Sequence, residues 1–183
     1  KVFEELKGSG VQPTLFIFKS LLTACLKHNQ PARALPLSKE MWQLGIHHDA
    51  VSFGALAYAC AQTDDIETAR TLFDAIRSKQ MNPLSVEEHH ATQLLEGWVK
   101  GGHLNEAMSA FEWMKANGVA VQSPHSYTVL ISGCADAVAL HLGSELHREA
   151  ERHGFLKKPD EQLAVVIIDL YGKTSYLHFF TFD

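Results

Sequence analysis

Positive charge is the first thing this sequence is short of. Lys and Arg number 16 against 21 Asp and Glu, a net charge of −5. Nucleic-acid binding by bulk electrostatics usually leaves a basic surplus, so only a local basic stripe remains compatible with that role. Cysteine is scarce too. The three present never form a CxxC pair, which excludes a paired disulfide framework and a four-thiolate zinc site. Reduced thiols suit the cytosol or an organellar matrix better than secretion. No run of 18 apolar residues occurs, so no membrane span is expected. The phosphate-cradling Gly-rich loop and the G-x-S-x-G nucleophile elbow are missing as well. The chain opens at Lys1-Val2-Phe3 with no initiator Met, signal sequence or Arg/Ser-rich transit segment, and so reads as an excerpt or a processed product.

What is present is a beat. Cys25, Cys60, Trp98, Cys134 and Tyr171 follow at intervals of 35, 38, 36 and 37. Leu21, Leu56, Leu94, Leu130 and Ile167 keep those intervals four residues earlier. Ala34, Ala69, Ala107 and Gly143 share the beat, as do Gly45, Gln80, Gly118 and Gly154. Such a period marks stacked supersecondary units, each too small to bury its apolar face alone. Each beat holds two helical stripes. The first has spacing i, i+3, i+4, i+7, as in Phe53, Leu56, Ala57, Cys60 or Tyr127, Leu130, Ile131, Cys134, which a strand's period of two cannot produce. The second is clearest in Ile66, Ala69, Leu72, Phe73, Ile76 and in Leu104, Ala107, Met108, Phe111, Met114. The five residues on the main beat are expected to occupy equivalent interior positions, the cysteines acting as small hydrophobes.

Boundary residues agree with the stripes. Thr14, Asp49, Ser123 and Asp160 stand where first helices need N-caps, and Pro124 follows at a position that needs no N–H. Asp64 with Glu67 has capping-box spacing before a second helix. Gly10, Gly45, Gly118 and Gly154 mark helix ends. Pro36, five residues after Pro31, falls inside the second helix expected for the first full repeat and predicts a kink there. The third repeat is three residues late, so Ser85-Val86-Glu87 is expected to form a longer connection or an extra turn of helix. The resulting division is a partial repeat at 1–14, repeats at 15–49, 50–87, 88–123 and 124–160, and a lone first helix at 161–173. The stretch 174–183, with Tyr176, Phe179, Phe180 and Phe182, loses the pattern. It is expected either to fold over the last helix as a cap or to be irregular and leave that face to a continuation or a partner.

A helical hairpin of about 35 residues ending in Gly-x-x-Pro-x resembles the pentatricopeptide repeat. The resemblance is carried by Gly10-Val11-Gln12-Pro13-Thr14 and by Leu104-Asn105-Glu106-Ala107 through Phe111 to Met114-Lys115-Ala116-Asn117-Gly118. Residues from Leu142-Gly143 through Leu146-His147 to Ile168-Asp169-Leu170-Tyr171 resemble the longer repeat variant of plant-type members. The tetratricopeptide repeat is the nearest rival, but its first helix wants a Leu-Gly that none of these first helices has. The resemblance implies an all-α, right-handed superhelical solenoid of antiparallel hairpins over residues 1–173. It also implies an organellar protein, mitochondrial or plastid, concerned with RNA processing, stability, editing or translation.

In that family the fifth and last residues of a repeat read one base of single-stranded RNA, and flanking side chains sandwich the base. Carried over, the pairs are Lys19 with Asp49, Gly54 with Leu84, Thr92 with Gln122 and Thr128 with Lys158, with Val165 on the last helix. None is a complete base-reading pair. Asp49 is equally explained as an N-cap, and Thr92 and Thr128 as solvated helix residues. The sandwiching positions hold Phe16, Val51, His89 and His125. Lys27 and Lys100 lie in one register suited to phosphates, a row that Gln62 and Asp136 interrupt. The expectation is loose RNA contact along the concave face without sequence readout. The alternative is a protein-binding scaffold in an organellar complex such as a ribosome. No DNA or membrane partner, no cofactor and no metal is expected. His47-His48 and His89-His90 are sequence neighbours, about 100° apart on a helix, a poor chelating arrangement. His147-Arg148-Glu149 fits half of a deaminase signature whose Cys pair is missing. The chain is not expected to be an enzyme.

Overall fold

Each apolar stripe becomes a helix because only the 3.6-residue period brings its members onto one buried face. The computed structural model describes residues 8, 10, 12–63, 65–78, 86–157 and 161–180, with 174–180 described by backbone alone. Among these residues the helices are α1 (Leu15–Lys27), α2 (Ala34–Gln43), α3 (Ala50–Thr63), α4 (Ile66–Arg77), α5 (Glu88–Lys100), α6 (Leu104–Ala116), α7 (Pro124–Asp136), α8 (Leu140–Arg152) and α9 (Glu161–Phe180). No strand interrupts them among the described residues, and none is long and apolar enough to cross a membrane.

The odd-numbered helices form one continuous layer, α1 on α3, α3 on α5, α5 on α7 and α7 on α9. The even-numbered helices pack alongside, each against the first helix of its own hairpin. The result is an all-α solenoid with one shared core. Phe18, Leu22, Phe53, Leu56, Leu72, Ile76, Leu94, Leu95, Phe111, Leu130 and Ile131 are all fully buried in it. Ala69 and Ala107 are also fully buried, on the second helices.

Caps fix where the elements begin. Ser123 accepts a hydrogen bond from the Ser126 backbone N–H at 3.2 Å, ahead of Pro124. Asp49 accepts from the Ser52 N–H at 2.9 Å, while the Asp49 N–H donates to the Ser52 hydroxyl at 2.9 Å, a reciprocal cap on α3. The cap of α4 is Asp65, which accepts from the Thr68 N–H at 3.0 Å; Asp64 lies outside the described residues. Gly10, Gly45, Gly118 and Gly154 all take positive φ. A second left-handed row, unforeseen, sits in the turn inside three of the hairpins: Asn29, Gly102 and Val138, at φ 52°, 78° and 55°.

Two expectations are corrected. Pro36 kinks nothing, because a 3₁₀ turn at Pro31–Arg33 precedes α2 and places Pro36 in its first turn. A first-turn N–H has no partner within its helix, so proline is accommodated there. The last helix does not stop near Lys173. Its backbone continues to Phe180, since Thr174 to Phe180 contains no Gly or Pro to end it; residues 181–183 lie outside the described residues. The longer connection before α5 ends in an extended Glu87, with Val86 buried beneath it and no extra helical turn at these two residues. Ser85 is outside the described residues.

The main beat is buried through the middle of the stack. Cys60, Trp98 and Cys134 are 0–1% exposed. Cys25 is half-buried, and Tyr171 is exposed, its hydroxyl 3.0 Å from His147 Nδ1. Equivalence therefore holds for the inner three and fails at the two ends, where a neighbouring first helix is described on one side only. The same cause exposes Ile168 to 71%, although Leu22, Ala57, Leu95 and Ile131, in the same register, are fully buried.

Candidate functional site

The N-terminal turns of the first helices present one exposed row along the layer. Phe16 is 77% exposed and Val51 53%; His89 and His125 are exposed as well. They recur at 35, 38 and 36 residues, so the stack lines them up. Each sits two residues before the first member of the buried stripe, about 200° round the helix, and so falls on the face away from the core.

The row three residues further on, nominated for base reading, is largely committed to holding repeats together. The Lys19 ammonium pairs with the Asp49 carboxylate at 2.8 Å, so the two members of the first pair satisfy each other. Gly54 is buried, and a Cβ on it would run into the His90 ring. Thr92 is 1% exposed. Its hydroxyl donates to the Glu88 carbonyl at 3.0 Å and lies 2.7 Å from the Ser126 hydroxyl of the next repeat. Thr92 is therefore not a solvated residue. Thr128 is half-buried and donates to the Pro124 carbonyl at 2.9 Å. Val165 and Gln122 are exposed. Leu84 and Lys158 lie outside the described residues.

Two lysines of the cation row are neutralised by neighbours. Lys100 pairs with Glu96 at 2.8 Å and donates to the Ala61 carbonyl at 3.1 Å. Lys173, which continues the register of Lys27 and Lys100, bridges Asp136 and Asp169 at 2.8 and 2.7 Å. Lys27 is exposed. Sequence reasoning missed Ser126 and Lys173. Their signal was the beat itself: Ser52, His90 and Ser126 recur at 38 and 36 residues, two places before the nominated row.

Buried groups along the layer shift as desolvation dictates. Burial pushes the Cys60 thiol up to about 12 and the Cys134 thiol to about 11, so both stay protonated and inert. Burial would raise the Asp49 carboxyl, but the Lys19 ammonium and the Ser52 N–H and hydroxyl together hold it below the ordinary carboxylate value. His48 is buried against Trp42, ring centroids 4.9 Å apart in edge contact, and burial lowers it to about 4. His90 is lowered by burial and then by its neighbour His89.

The two adjacent histidines do not diverge as their 100° spacing predicts; their ring centroids are 3.8 Å apart. Both lie in the first turn of α5, where no preceding turn restricts the rotamers. Together with Glu87 they bring three ligand-type atoms within 4.8 Å of one another.

A family model described as a PPR repeat matches residues 51–81. A chloroplastic pentatricopeptide repeat-containing protein of Arabidopsis thaliana is 28% identical over 96% of this chain. A mitochondrial one from the same plant is 24% identical over 94%. The chain spans about a quarter of the length of these relatives, 28% and 24%. Among solved structures, the pentatricopeptide repeat protein PPR10 from maize superposes with a TM-score of 0.68 at 20% identity, over 98% of this chain and 26% of that one. The PPR domain of Arabidopsis thaliana protein-only RNase P 1, solved in complex with tRNA, gives 0.68 at 17% identity over 88% and 82%.

Proposed function

We propose that the chain is a segment of a pentatricopeptide repeat protein and that it serves an organellar RNA-associated protein by holding RNA along its first-helix face without reading the bases. It works by binding and performs no chemistry itself. The organelle is a mitochondrion or plastid, the compartments named for its relatives, and its task lies in RNA processing, stability, editing or translation. RNA as ligand is supported by the complexes of similar folds, maize PPR10 with an RNA element and the RNase P domain with tRNA.

One observation carries the reading: the exposed row Phe16, Val51, His89 and His125, with three rings among its four members. Stacking on such rings is worth about 1–3 kcal/mol per base and tolerates any sequence. Readout needs free donors and acceptors at base edges. Lys19 and Asp49 spend theirs on each other, Gly54 has none, and Thr92 is buried against Ser126. Fluorescence anisotropy with labelled random single-stranded RNA tests this. The double variant Phe16→Ala/His125→Ala should bind at least about tenfold more weakly, and unchanged affinity would contradict the role given to the row.

A scaffold that docks protein is the second reading, favoured by the pairing of Lys19, Lys100 and Lys173 with acids. Absence of RNA binding even at low salt would select it.

A further inference from the structure

We propose that Glu87, His89 and His90 form a binding site for one borderline divalent cation, of the Zn²⁺ class, at the start of α5. The three ligand atoms, one carboxylate oxygen and one nitrogen from each imidazole, all lie within 4.8 Å of one another. Ligand atoms around a tetrahedral zinc stand about 3.3 Å apart, given bonds of about 2.0–2.1 Å. The remaining closure falls to Glu87 and His89, which are exposed and free to change rotamer.

A second observation points to a ligand independently of that spacing. His90 Nδ1 is buried and has no hydrogen-bond partner among the described residues, a costly state for a ring nitrogen in a folded chain. The other side of the ring is packed over Gly54, where the missing side chain makes room for it. That packing fixes the imidazole and leaves Nδ1 for the ion. The Glu87 carboxylate is equally available. Glu87 is the N-cap of α5, yet its side chain accepts no bond from the helix N–H groups; instead it stands 3.5 Å from His89 Nδ1. The positive end of a helix is a poor place for a cation, and the Glu87 charge opposes that penalty. Two imidazoles and a carboxylate suit zinc, copper and nickel rather than calcium or magnesium, which want oxygen ligands. With three protein ligands the ion keeps an open position.

The experiment is a zinc titration of the full 183-residue chain, following the imidazole resonances of all 11 histidines by two-dimensional NMR. The proposal predicts one equivalent bound, with the first and largest shifts at His89 and His90. His89→Ala should weaken that event at least tenfold while leaving the circular-dichroism spectrum unchanged, because His89 is exposed. His90→Gln should do the same, and if it perturbs the packing on Gly54 the His89 variant still decides. Zinc that first perturbs other histidines, or binding that survives His89→Ala, overturns the site. Neither outcome bears on RNA affinity measured in the presence of a chelator.

Discussion

Asp49 shows how a single side chain can look like a base reader and be something else. It caps α3 through Ser52 and holds Lys19, two jobs that use both carboxylate oxygens. Asp49→Ala should cost about 1 kcal/mol by loss of the cap, read as a lower urea midpoint; no loss would mean the cap is idle. Val138 makes the opposite case. A β-branched residue at φ 55° is strained, since left-handed backbone costs an ordinary residue about 1–2 kcal/mol. Its side chain is largely exposed, so Val138→Gly should stabilise by about 1 kcal/mol, visible as a higher melting temperature. His48 gives a pH dependence whose sign is fixed. Burial lowers its folded value from 6.5 to about 4, so the unfolded chain takes up the proton first. Stability is then full above pH 6.5 and declines on acidification until about pH 4, by about 3 kcal/mol at most. The variant His48→Phe should flatten that slope, and an unchanged pH profile would show that His48 is not its source.

At the level of elements, the stripes carried most of the information. First helices start at Leu15, Ala50, Glu88, Pro124 and Glu161, spaced by the same intervals as the apolar beat, because periodic burial fixes both. Ala69 is fully buried on a second helix, so Ala69→Leu should cost about 1–3 kcal/mol by overpacking; a neutral melting shift would contradict the helix pairing. Position in the stack matters as much as register. Leu95→Ala should cost about 2–5 kcal/mol, while Ile168→Ala, in the same register on an open face, should stay within about 0.5 kcal/mol. Equal losses in chemical denaturation would mean that α9 is covered in solution. What the sequence concealed at this scale was local. The Pro36 kink failed because a 3₁₀ turn shifted the start of α2, and a pattern of apolar residues does not record such a shift.

For the whole molecule, the fold was legible and the surface chemistry only half so. A beat in apolar residues reports which side chains are shared between repeats, and that sharing is the solenoid. Whether a polar side chain on the first-helix layer is free depends on its neighbour one repeat away. Thr92 looked available until Ser126 appeared 2.7 Å from it, and Lys19 until Asp49 closed on it. Phe16, Val51, His89 and His125 stay exposed along the layer. Selection from a random single-stranded RNA pool, sequenced at several salt concentrations, addresses the central claim most directly. Retained RNA should fall away steeply with salt and show no shared motif. Enrichment of a defined run of bases would contradict the account, because it would require the first-helix layer to offer the donors and acceptors that its repeats here use on one another.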